Sequence, residues 1–272
     1  MATLLAVAGD LHVNGTTALC PPTVELDDGG TYGASKAQLW IWQQWQDFWA
    51  RAEQLKAQHN AECVTILTGE LADDNYHNTS QLISKNIEDQ ARASLAALEP
   101  VQRIADRIYV TRGSEAHSGV NSSTDEKLAK AIGAIPDNEG NYARWVFRGV
   151  VDGVRIDAAH HPGTGHARPW TKGADANRLA QMVMSPYVAA EMKVPHLAIR
   201  GHNHKSSDSA HNHPTRAIIL PSWQLPTSFA YRIGAGAFPL PIGGLLMIVE
   251  NGRVLLEEQR FYDWPVSAWE AA

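Results

Sequence analysis

The chain has 272 residues, of which 44% are hydrophobic, 8% aromatic and 19% charged. This composition can bury a sizeable core, which argues against intrinsic disorder, and the length fits one large domain or two small ones. A formal net charge of −6 provides no bulk positive field to hold nucleic acid or anionic lipid, so any phosphate chemistry must be local.

Compartment and membrane signals point to a cytoplasmic protein. Two cysteines, Cys20 and Cys63, are too few for a disulfide framework and favour a reducing compartment. The N-terminal segment lacks a cationic start and soon meets Asp10, which is typical of a first strand rather than a signal peptide. Every apolar run is shorter than the roughly 18 residues that a membrane span needs, so we expect no membrane partner.

In the first half of the chain, short apolar runs alternate with longer amphipathic ones. Capping-box spacing at Ser35 with Gln38, and at Ser123 with Glu126, predicts two helix starts, and Pro100 is expected to end the helix between them. The predicted elements are strands from Leu4 to Ala8, Cys63 to Thr68 and Arg107 to Thr111, and helices from about Lys36 to Gln58, from about Gln81 to Leu98, and after Ser123 to near Gly133.

Strands dominate the second half. Asp152-Gly153 and Asn251-Gly252 predict tight hairpins. The predicted elements are strands Ala143 to Phe147, Val154 to Ala159, His196 to Ile199, Arg216 to Leu220, Leu245 to Val249 and Val254 to Gln259, with one helix from about Ala174 to Ala190. Crossover helices first and hairpins later predict a mixed α/β sheet layered with helices, in one domain over 1–272. The long loops 13–34 and 205–215 are expected to be functional.

Polar side chains follow each of the first three predicted strands. Asp10 and His12 come after the first strand, and alternate residues of an extended segment point to one face, so both can reach one cation. Glu70 comes after the second strand, and Ser114 and His117 come after the third. Because ligands of open α/β sheets collect at the carboxyl ends of strands, we expect these loops to meet.

Histidines mark two later strand ends. The predicted strand that ends at Ala159 continues into His160 and His161, and the next one continues into a glycine followed by His202, Asn and His204. A His-x-His pair at a strand end lets both imidazoles project toward one cavity. Five strand ends that carry Asp, His or Glu together indicate a metal site.

Oxygen and nitrogen ligands without thiolates suit Mn²⁺, Fe, Zn²⁺ or Ni²⁺, and two such ions lie about 3.5–4 Å apart when a carboxylate bridges them. Such a pair binds a phosphoryl oxygen, lowers the pKa of a water so that hydroxide exists at neutral pH, and stabilises the leaving oxygen. The residues therefore predict hydrolysis by a metal-activated hydroxide at a dinuclear site.

In this order the motifs resemble the calcineurin-like metallophosphoesterase family, whose pattern is Asp-x-His, Gly-Asp-x-x-Asp, Gly-Asn-His-Asp/Glu, a strand-end His and Gly-His-x-His. Two blocks agree fully: Gly9-Asp10-Leu11-His12 and Gly201-His202-Asn203-His204. The segment that begins at His77 and the one that begins at Gly113 are similar to a phage- or prophage-encoded subset. The resemblance implies a layered α/β sandwich with mixed sheets flanked by helices.

The same resemblance implies three ligands on one metal, two on the other and one bridging carboxylate. The first set is Asp10, His12 and His204; the second is His160 and His202; the bridge is Glu70. Ser114 takes the family's Asn position as a further ligand of the second metal, although a hydroxyl is a poorer ligand than an amide oxygen. Glu70 stands where the family has Asp, and its extra methylene would move the carboxylate unless the loop retreats. Both departures bear on the second site, and Mn²⁺ is the favoured metal.

The family's catalytic His follows the Asn directly, whereas three residues separate Gly113 from His117 here. A small bulge would bring His117 to the leaving group as general acid. Otherwise the role is unfilled, and Glu115 could reach the metal instead.

Several further residues are candidates for contact with substrate. His161 is one, and it could also replace His160 as the ligand, because consecutive residues of a strand point to opposite faces. Arg112 is another candidate for the phosphate, although an ordinary surface role fits as well. The same two interpretations apply to Arg168, Lys172 and Lys205, whereas His77 either lines the cleft or starts a helix.

The sequence as a whole predicts a metallophosphoesterase that hydrolyses a phosphodiester or a phosphomonoester, such as a nucleotide, a nucleic-acid end, a phosphoprotein or a small phosphodiester. One alternative is a catalytically degenerate relative that acts as a binding or interaction protein, in which Glu70 and Ser114 mark lost chemistry. Another is a dinuclear hydrolase of a non-phosphate bond.

Overall fold

A computed structural model describes residues 2–74, 79–163, 173–232 and 240–265. The strands are β1 (Thr3–Ala8), β2 (Thr23–Glu25), β3 (Thr31–Gly33), β4 (Glu62–Leu67), β5 (Arg107–Thr111), β6 (Ala143–Arg144), β7 (Phe147–Val151), β8 (Val154–Ala159), β9 (Leu197–Arg200), β10 (Ser207–Asp208), β11 (Arg216–Ile219), β12 (Ile242–Glu250) and β13 (Arg253–Tyr262). The helices are α1 (Lys36–Gln58), α2 (Ile87–Ile104), α3 (Glu115–Ser118), α4 (Ser123–Ala131), α5 (Ala174–Ala189) and α6 (Ser228–Arg232), with a 3₁₀ turn at Val120–Ser122.

Two mixed sheets form the centre of the protein. The six-stranded sheet has the order β13-β12-β1-β4-β5-β6, and its strands β1, β4, β5 and β6 run parallel while β12 is antiparallel to both neighbours. The five-stranded sheet has the order β10-β11-β9-β8-β7, with β8, β9 and β11 parallel. A separate two-stranded hairpin pairs β2 with β3.

The two sheets pack face to face, and helices cover their outer faces. The apolar cluster between the sheets takes Val7 and Ile66 from the six-stranded sheet and Ile156 and Ile199 from the five-stranded one. A second cluster packs α1, α2 and α4 on the outer face of the first sheet, and a smaller one packs α5 on the second. The predicted layered α/β sandwich, with mixed sheets flanked by helices, is confirmed.

Helix α1 has the bounds that its sequence predicts. Ser35 and Gln38 form the capping box: the amide of Gln38 donates to Ser35 Oγ at 3.2 Å, and the amide of Ser35 donates to Gln38 Oε1 at 2.9 Å. Trp45 and Trp49 are fully buried against the six-stranded sheet, while Trp42 is half-buried. A capped start and an apolar face at helical spacing are sufficient to define this element locally.

Both predicted hairpins are confirmed. β7 pairs antiparallel with β8 and β12 with β13, and the turn residues Asp152 and Asn251 have positive φ angles of 42° and 51°. Asp and Asn tolerate this left-handed conformation, which matches the twist of the flanking strands.

The prediction for the second helix is wrong at both ends. α2 begins after Asn86, whose side chain accepts from the amide of Glu88 at 2.9 Å, and Pro100 lies inside the helix instead of ending it. Val101 and Ile104 beyond the proline are buried in the core. Burial of this last turn outweighs the backbone hydrogen bond that a proline removes.

Two further predictions fail between α3 and β8. Ser123 and Glu126 form no capping box; the Glu126 carboxylate accepts instead from the amides of Tyr142 and Ala143, at 2.9 and 2.7 Å. The predicted strand from Ala143 to Phe147 divides into β6 and β7, which belong to different sheets. The chain therefore crosses from one sheet to the other within this segment.

The long loop 13–34 contains the β2–β3 hairpin, which was not predicted, and β10 lies in the loop 205–215.

No helix in the part of the chain that the structure describes combines the length and hydropathy of a bilayer span.

Truncation of Trp45 should be strongly destabilising. Its ring is fully buried 4.7 Å from the ring of Trp223, and its indole N–H donates to the carbonyl of Ala97 at 2.8 Å. Trp45→Ala is expected to lower the free energy of unfolding by about 3–5 kcal/mol, measured by urea denaturation with circular dichroism. The half-buried Trp42→Ala is the control and should cost clearly less; equal losses would contradict this packing.

Candidate metal centre

Loops at the carboxyl ends of five strands, three from one sheet and two from the other, meet at one edge of the sandwich. They carry the predicted metal ligands, which are Asp10 and His12 after β1, Glu70 after β4, Ser114 after β5, His160 after β8, and His202 and His204 after β9. The structure brings residues far apart in the sequence into contact here.

The carboxylate of Glu70 lies at the centre of the cluster. Oε2 is 3.1 Å from His12 Nε2, and Oε1 is 3.1 Å from His160 Nε2. Glu70 and both histidines are at most 1% exposed. One carboxylate therefore faces an imidazole on each side, which is the arrangement that a bridging ligand requires.

On one side of Glu70 lies a group of four possible ligands. Donor atoms of Asp10, His12, Glu70 and His204 all lie within 4.8 Å of one another. His204 Nε2 is 3.0 Å from His12 Nε2 and 3.6 Å from Asp10 Oδ1. Two carboxylates and two imidazoles that converge in this way match the donor set of a divalent transition metal.

Three histidines form a second group on the other side of Glu70. Donor atoms of His160, His161 and His202 lie within 4.8 Å of one another, and His160 Nε2 is 3.1 Å from His202 Nδ1. His160 is buried, and its Nδ1 lies 2.8 Å from the carbonyl of Thr68. His161 is exposed, and its ring lies 4.6 Å from that of His202. The strand end thus brings both His160 and His161 to the cluster.

The backbone under these ligands is strained. Five of them, Asp10, His12, Glu70, His202 and His204, have positive φ angles of 53°, 46°, 53°, 72° and 52°. Non-glycine residues rarely adopt this conformation, and it persists where the surrounding structure imposes it, often at functional sites. Gly201 explains part of the fit, because a Cβ at this position would overlap Asp10 Oδ2.

The described residues fit a cation. Asp10 Oδ2 is buried and lacks a hydrogen-bond partner among the described residues, although a buried carboxylate oxygen without one is costly. Asp10 Oδ1 accepts from the amide of His202 at 2.8 Å, which fixes the orientation of the carboxylate. Coordination of a metal ion would satisfy Asp10 Oδ2, which lies beside the converging imidazoles and lacks another partner among the described residues.

The electrostatics of the bare cluster are dominated by Glu70. Burial alone would lower the pKa of His12, but the hydrogen bond and charge of Glu70 raise it to about 9. Burial likewise opposes protonation of His160, yet the charges of Glu70 and Asp10 raise its pKa to about 10. Burial raises the pKa of Asp10 to about 6, against the attraction of His160. Without a cation, protons on His12 and His160 compensate the buried carboxylates.

The pKa values of His202 and His204 shift in the opposite direction. Burial, followed by the charge of His160, lowers the pKa of His202 to about 4. Burial and the neighbouring His12 hold the pKa of His204 well below its usual value. These rings are unprotonated at neutral pH and can donate a lone pair directly.

Metal binding should therefore release protons. At pH 7 the rings of His12 and His160 carry protons that a divalent ion must displace, because only the unprotonated ring coordinates. The apparent affinity for Mn²⁺ is expected to rise with pH by up to about 100-fold per unit, which is tenfold per displaced proton. Calorimetric titration in buffers of different ionisation enthalpy, between pH 6 and 8, measures the proton count. A heat independent of the buffer, with an affinity independent of pH, would contradict it.

His117 reaches the cluster by a route that differs from the expected bulge. The single helical turn α3 follows Ser114 directly and returns His117 to a position where its ring lies 4.7 Å from the ring of His12, nearly perpendicular to it. His117 Nδ1 lies 2.7 Å from Asp73 Oδ1, and Asp73 Oδ2 lies 3.8 Å from His12 Nδ1. Glu115, the alternative, is exposed and accepts from the amide of Asn121 at 3.1 Å.

The guanidinium of Arg112 contacts neighbouring loops, and its predicted role in substrate binding stays a prediction. Its guanidinium donates to the carbonyls of Ala143 and Asn121, at 2.8 and 2.6 Å, and stacks 5.3 Å from the centre of the Trp145 ring. Because these contacts occupy the guanidinium, the residue stabilises the loops after β5 and β6. Lys205 is half-buried directly after His204. His77, Arg168 and Lys172 lie outside the described residues.

Sequence reasoning missed two carboxylates beside the cluster. Asp73 pairs with His117, and the only sequence signal was its place in the Gly-x-x-x-Asp spacing after β4. Asp125 in α4 is fully buried and accepts from the amides of Glu70 and Gly113. Nothing in the sequence distinguishes Asp125 from an ordinary acidic residue in the first turn of a helix.

No family model matches the sequence, and no curated protein matches it. Among solved structures, the chain is similar to Vps29 from Chaetomium thermophilum, with a TM-score of 0.43, 10% identity and coverage of 91% of this chain and 85% of that one. It is also similar to a dimetal phosphatase from Danio rerio, with a TM-score of 0.41, 8% identity and coverage of 96% and 99%.

A third similar structure is the purple acid phosphatase PPD1 from yellow lupin, with a TM-score of 0.45, 12% identity and coverage of 97% of this chain and 53% of that one. At these levels of identity and TM-score, none of the three transfers an activity to this chain.

Proposed function

We propose that the protein is a metal-dependent phosphoester hydrolase of the calcineurin-like metallophosphoesterase type. The observation that carries this proposal is the Glu70 carboxylate, whose two oxygens each lie 3.1 Å from a different buried imidazole, with a separate donor group beyond each. The order of the motifs along the chain, from Asp10-x-His12 to Gly201-His202-x-His204, supports the same conclusion.

The described residues would hold two divalent cations. Asp10, His12 and His204 would bind the first, His160 and His202 would bind the second, and Glu70 would bind both. Nitrogen and oxygen donors without thiolates suit Mn²⁺, Fe, Zn²⁺ or Ni²⁺, of which we favour Mn²⁺. When bound, such cations supply Lewis acidity toward a phosphoryl oxygen and toward the attacking water.

His117 is proposed as the general acid that protonates the leaving oxygen. Asp73 orients the ring through the 2.7 Å contact with Nδ1, and Nε2 is the atom that we propose carries the transferred proton. The side chain of His117 is 31% exposed, so a leaving group can approach it from solvent. We propose that His161, which is exposed beside His202, contacts the substrate.

We also propose that the chain acts as a single catalytic domain. The ligands come from both sheets, with Glu70 after a strand of one and His160 and His202 after strands of the other. Neither sheet alone carries a complete set, so the sandwich must be intact for the site to exist.

Removal of one ligand should abolish turnover without unfolding the protein. Asp10→Ala and His202→Ala each remove a side chain in a loop at the sheet edge and leave the apolar core unchanged. Hydrolysis of bis(p-nitrophenyl) phosphate in added Mn²⁺ is expected to fall to the uncatalysed rate, while the circular dichroism spectrum is retained. Wild-type rates in either variant would exclude this site. Wild-type protein that binds Mn²⁺ and hydrolyses no phosphoester, ester or amide would favour a binding protein.

His117→Gln should slow hydrolysis most for substrates whose leaving group needs a proton. A general acid contributes about 10²–10⁴-fold to the rate. We expect kcat to fall within this range for an alkyl phosphoester and far less for a p-nitrophenyl ester, whose leaving group needs no proton, with KM little changed. His211→Gln alters an exposed histidine of the loop before β11 and is the control. Equal losses for both leaving groups would contradict the role of His117 as an acid.

A further inference from the structure

A buried carboxylate in α4 joins the two loops that flank the centre of the metal cluster. Asp125 Oδ2 accepts from the amide of Gly113 at 2.7 Å and from the amide of Glu70 at 3.2 Å, and Oδ1 accepts from the amide of Leu71 at 3.0 Å. Asp125 is fully buried. One side chain therefore fixes the loop after β4 against the loop after β5.

Gly113 leaves the space that the longer side chain of Glu70 needs. A Cβ at position 113 would lie 2.5 Å from Glu70 Cγ and 2.9 Å from Asp125 Oδ2. Real Cβ atoms do not approach other heavy atoms this closely, so the two loops can meet only with glycine here. The extra methylene of glutamate, relative to aspartate, is accommodated in this space.

Ser114 contacts the same carboxylate directly. Its hydroxyl donates to Glu70 Oε1 through a short hydrogen bond, and its amide lies 3.2 Å from the same oxygen. Although Ser114 is the N-cap residue of α3, its side chain makes no capping hydrogen bond. The hydroxyl is thus directed at Glu70 and not at the helix that it precedes.

We propose that Asp125 and Ser114 are positioning residues that hold the carboxylate of Glu70 between the two metal sites. Asp125 acts through the backbone of the Glu70 loop, and Ser114 acts through the carboxylate itself. Glu70 and Ser114, which depart from the family pattern, then form a matched pair instead of a decayed site. This inference rests on the proposed metal centre.

Asp125→Asn tests the backbone contact. The amide oxygen replaces one carboxylate oxygen, but the NH₂ group then faces a backbone N–H that it cannot accept from. We expect the affinity for Mn²⁺, measured by calorimetry, to fall about 10–100-fold, as for other residues that orient metal ligands. The rise in unfolding temperature that Mn²⁺ causes should shrink accordingly.

Asp89→Asn is the matched control. Asp89 is also buried in the first turn of a helix, and its carboxylate also joins loops, because it accepts from the amide of Asp27 at 2.7 Å and from Ser84 Oγ at 2.6 Å. Both variants should lower the unfolding temperature of the metal-free protein, and only Asp125→Asn should lose affinity for Mn²⁺. Equal affinities in the two variants would overturn the role of Asp125.

Ser114→Ala tests the direct contact with the Glu70 carboxylate. It also provides a second test of the proposal if Asp125→Asn does not fold. It removes the hydroxyl of a half-buried residue, so the metal-free protein should keep its unfolding temperature while Mn²⁺ binds more weakly. Unchanged affinity would overturn the role of Ser114. Wild-type protein that takes up no Mn²⁺ would overturn the metal centre together with this inference, whereas tight wild-type binding that neither variant weakens would overturn the inference alone.

Discussion

A buried carboxylate must be compensated by nearby positive charge. The Glu70 carboxylate is buried, so its neighbours must supply that charge. It is 1% exposed, and an imidazole lies 3.1 Å from each of its oxygens. In the bare protein, protons on His12 and His160 meet the requirement, as the raised pKa values of both rings show. Divalent cations would meet the same requirement, and they would then compete with these protons.

This arrangement depends on the packing of two sheets. The two imidazoles follow strands of different sheets, β1 and β8, so the apolar contact between the sheets sets the distance across the Glu70 carboxylate. Positive φ angles at Asp10, Glu70 and His202 turn the side chains inward from the strand ends. The strain of these conformations is sustained by a core with Trp45 and Trp223 fully buried at its helix side.

The departures from the family pattern at Glu70 and Ser114 acquire a physical meaning in the structure. Glu70 is longer than the Asp of the family pattern, and Ser114 is shorter than the Asn. Gly113 makes room for the extra methylene of Glu70, and the Ser114 hydroxyl donates to the Glu70 carboxylate, so the carboxylate keeps its position. Three backbone amides donate to Asp125 beside these contacts. The contacts thus give the two departures a structural explanation that does not require a decayed site.

The sequence by itself determined the elements and motifs that depend on neighbouring residues. Local residue spacing predicts the capping box and apolar face of α1 and the turns at Asp152 and Asn251. It also predicts that the candidate ligands follow directly after strands. Periodicity and turn chemistry act over a few residues, which is why they can be read without coordinates.

Only the tertiary structure decided the rest. Burial of Val101 and Ile104 extends α2 beyond Pro100. A helical turn brings His117 to Asp73. Asp125 accepts from the amide of Glu70, more than fifty positions earlier in the chain, and from the amide of Gly113. Arg112 lies beside the site in sequence, yet its guanidinium is taken up by the carbonyls of Ala143 and Asn121. Each of these outcomes depends on hydrogen bonds or burial between segments that meet only when both sheets have formed, and such contacts leave no periodic trace in the sequence.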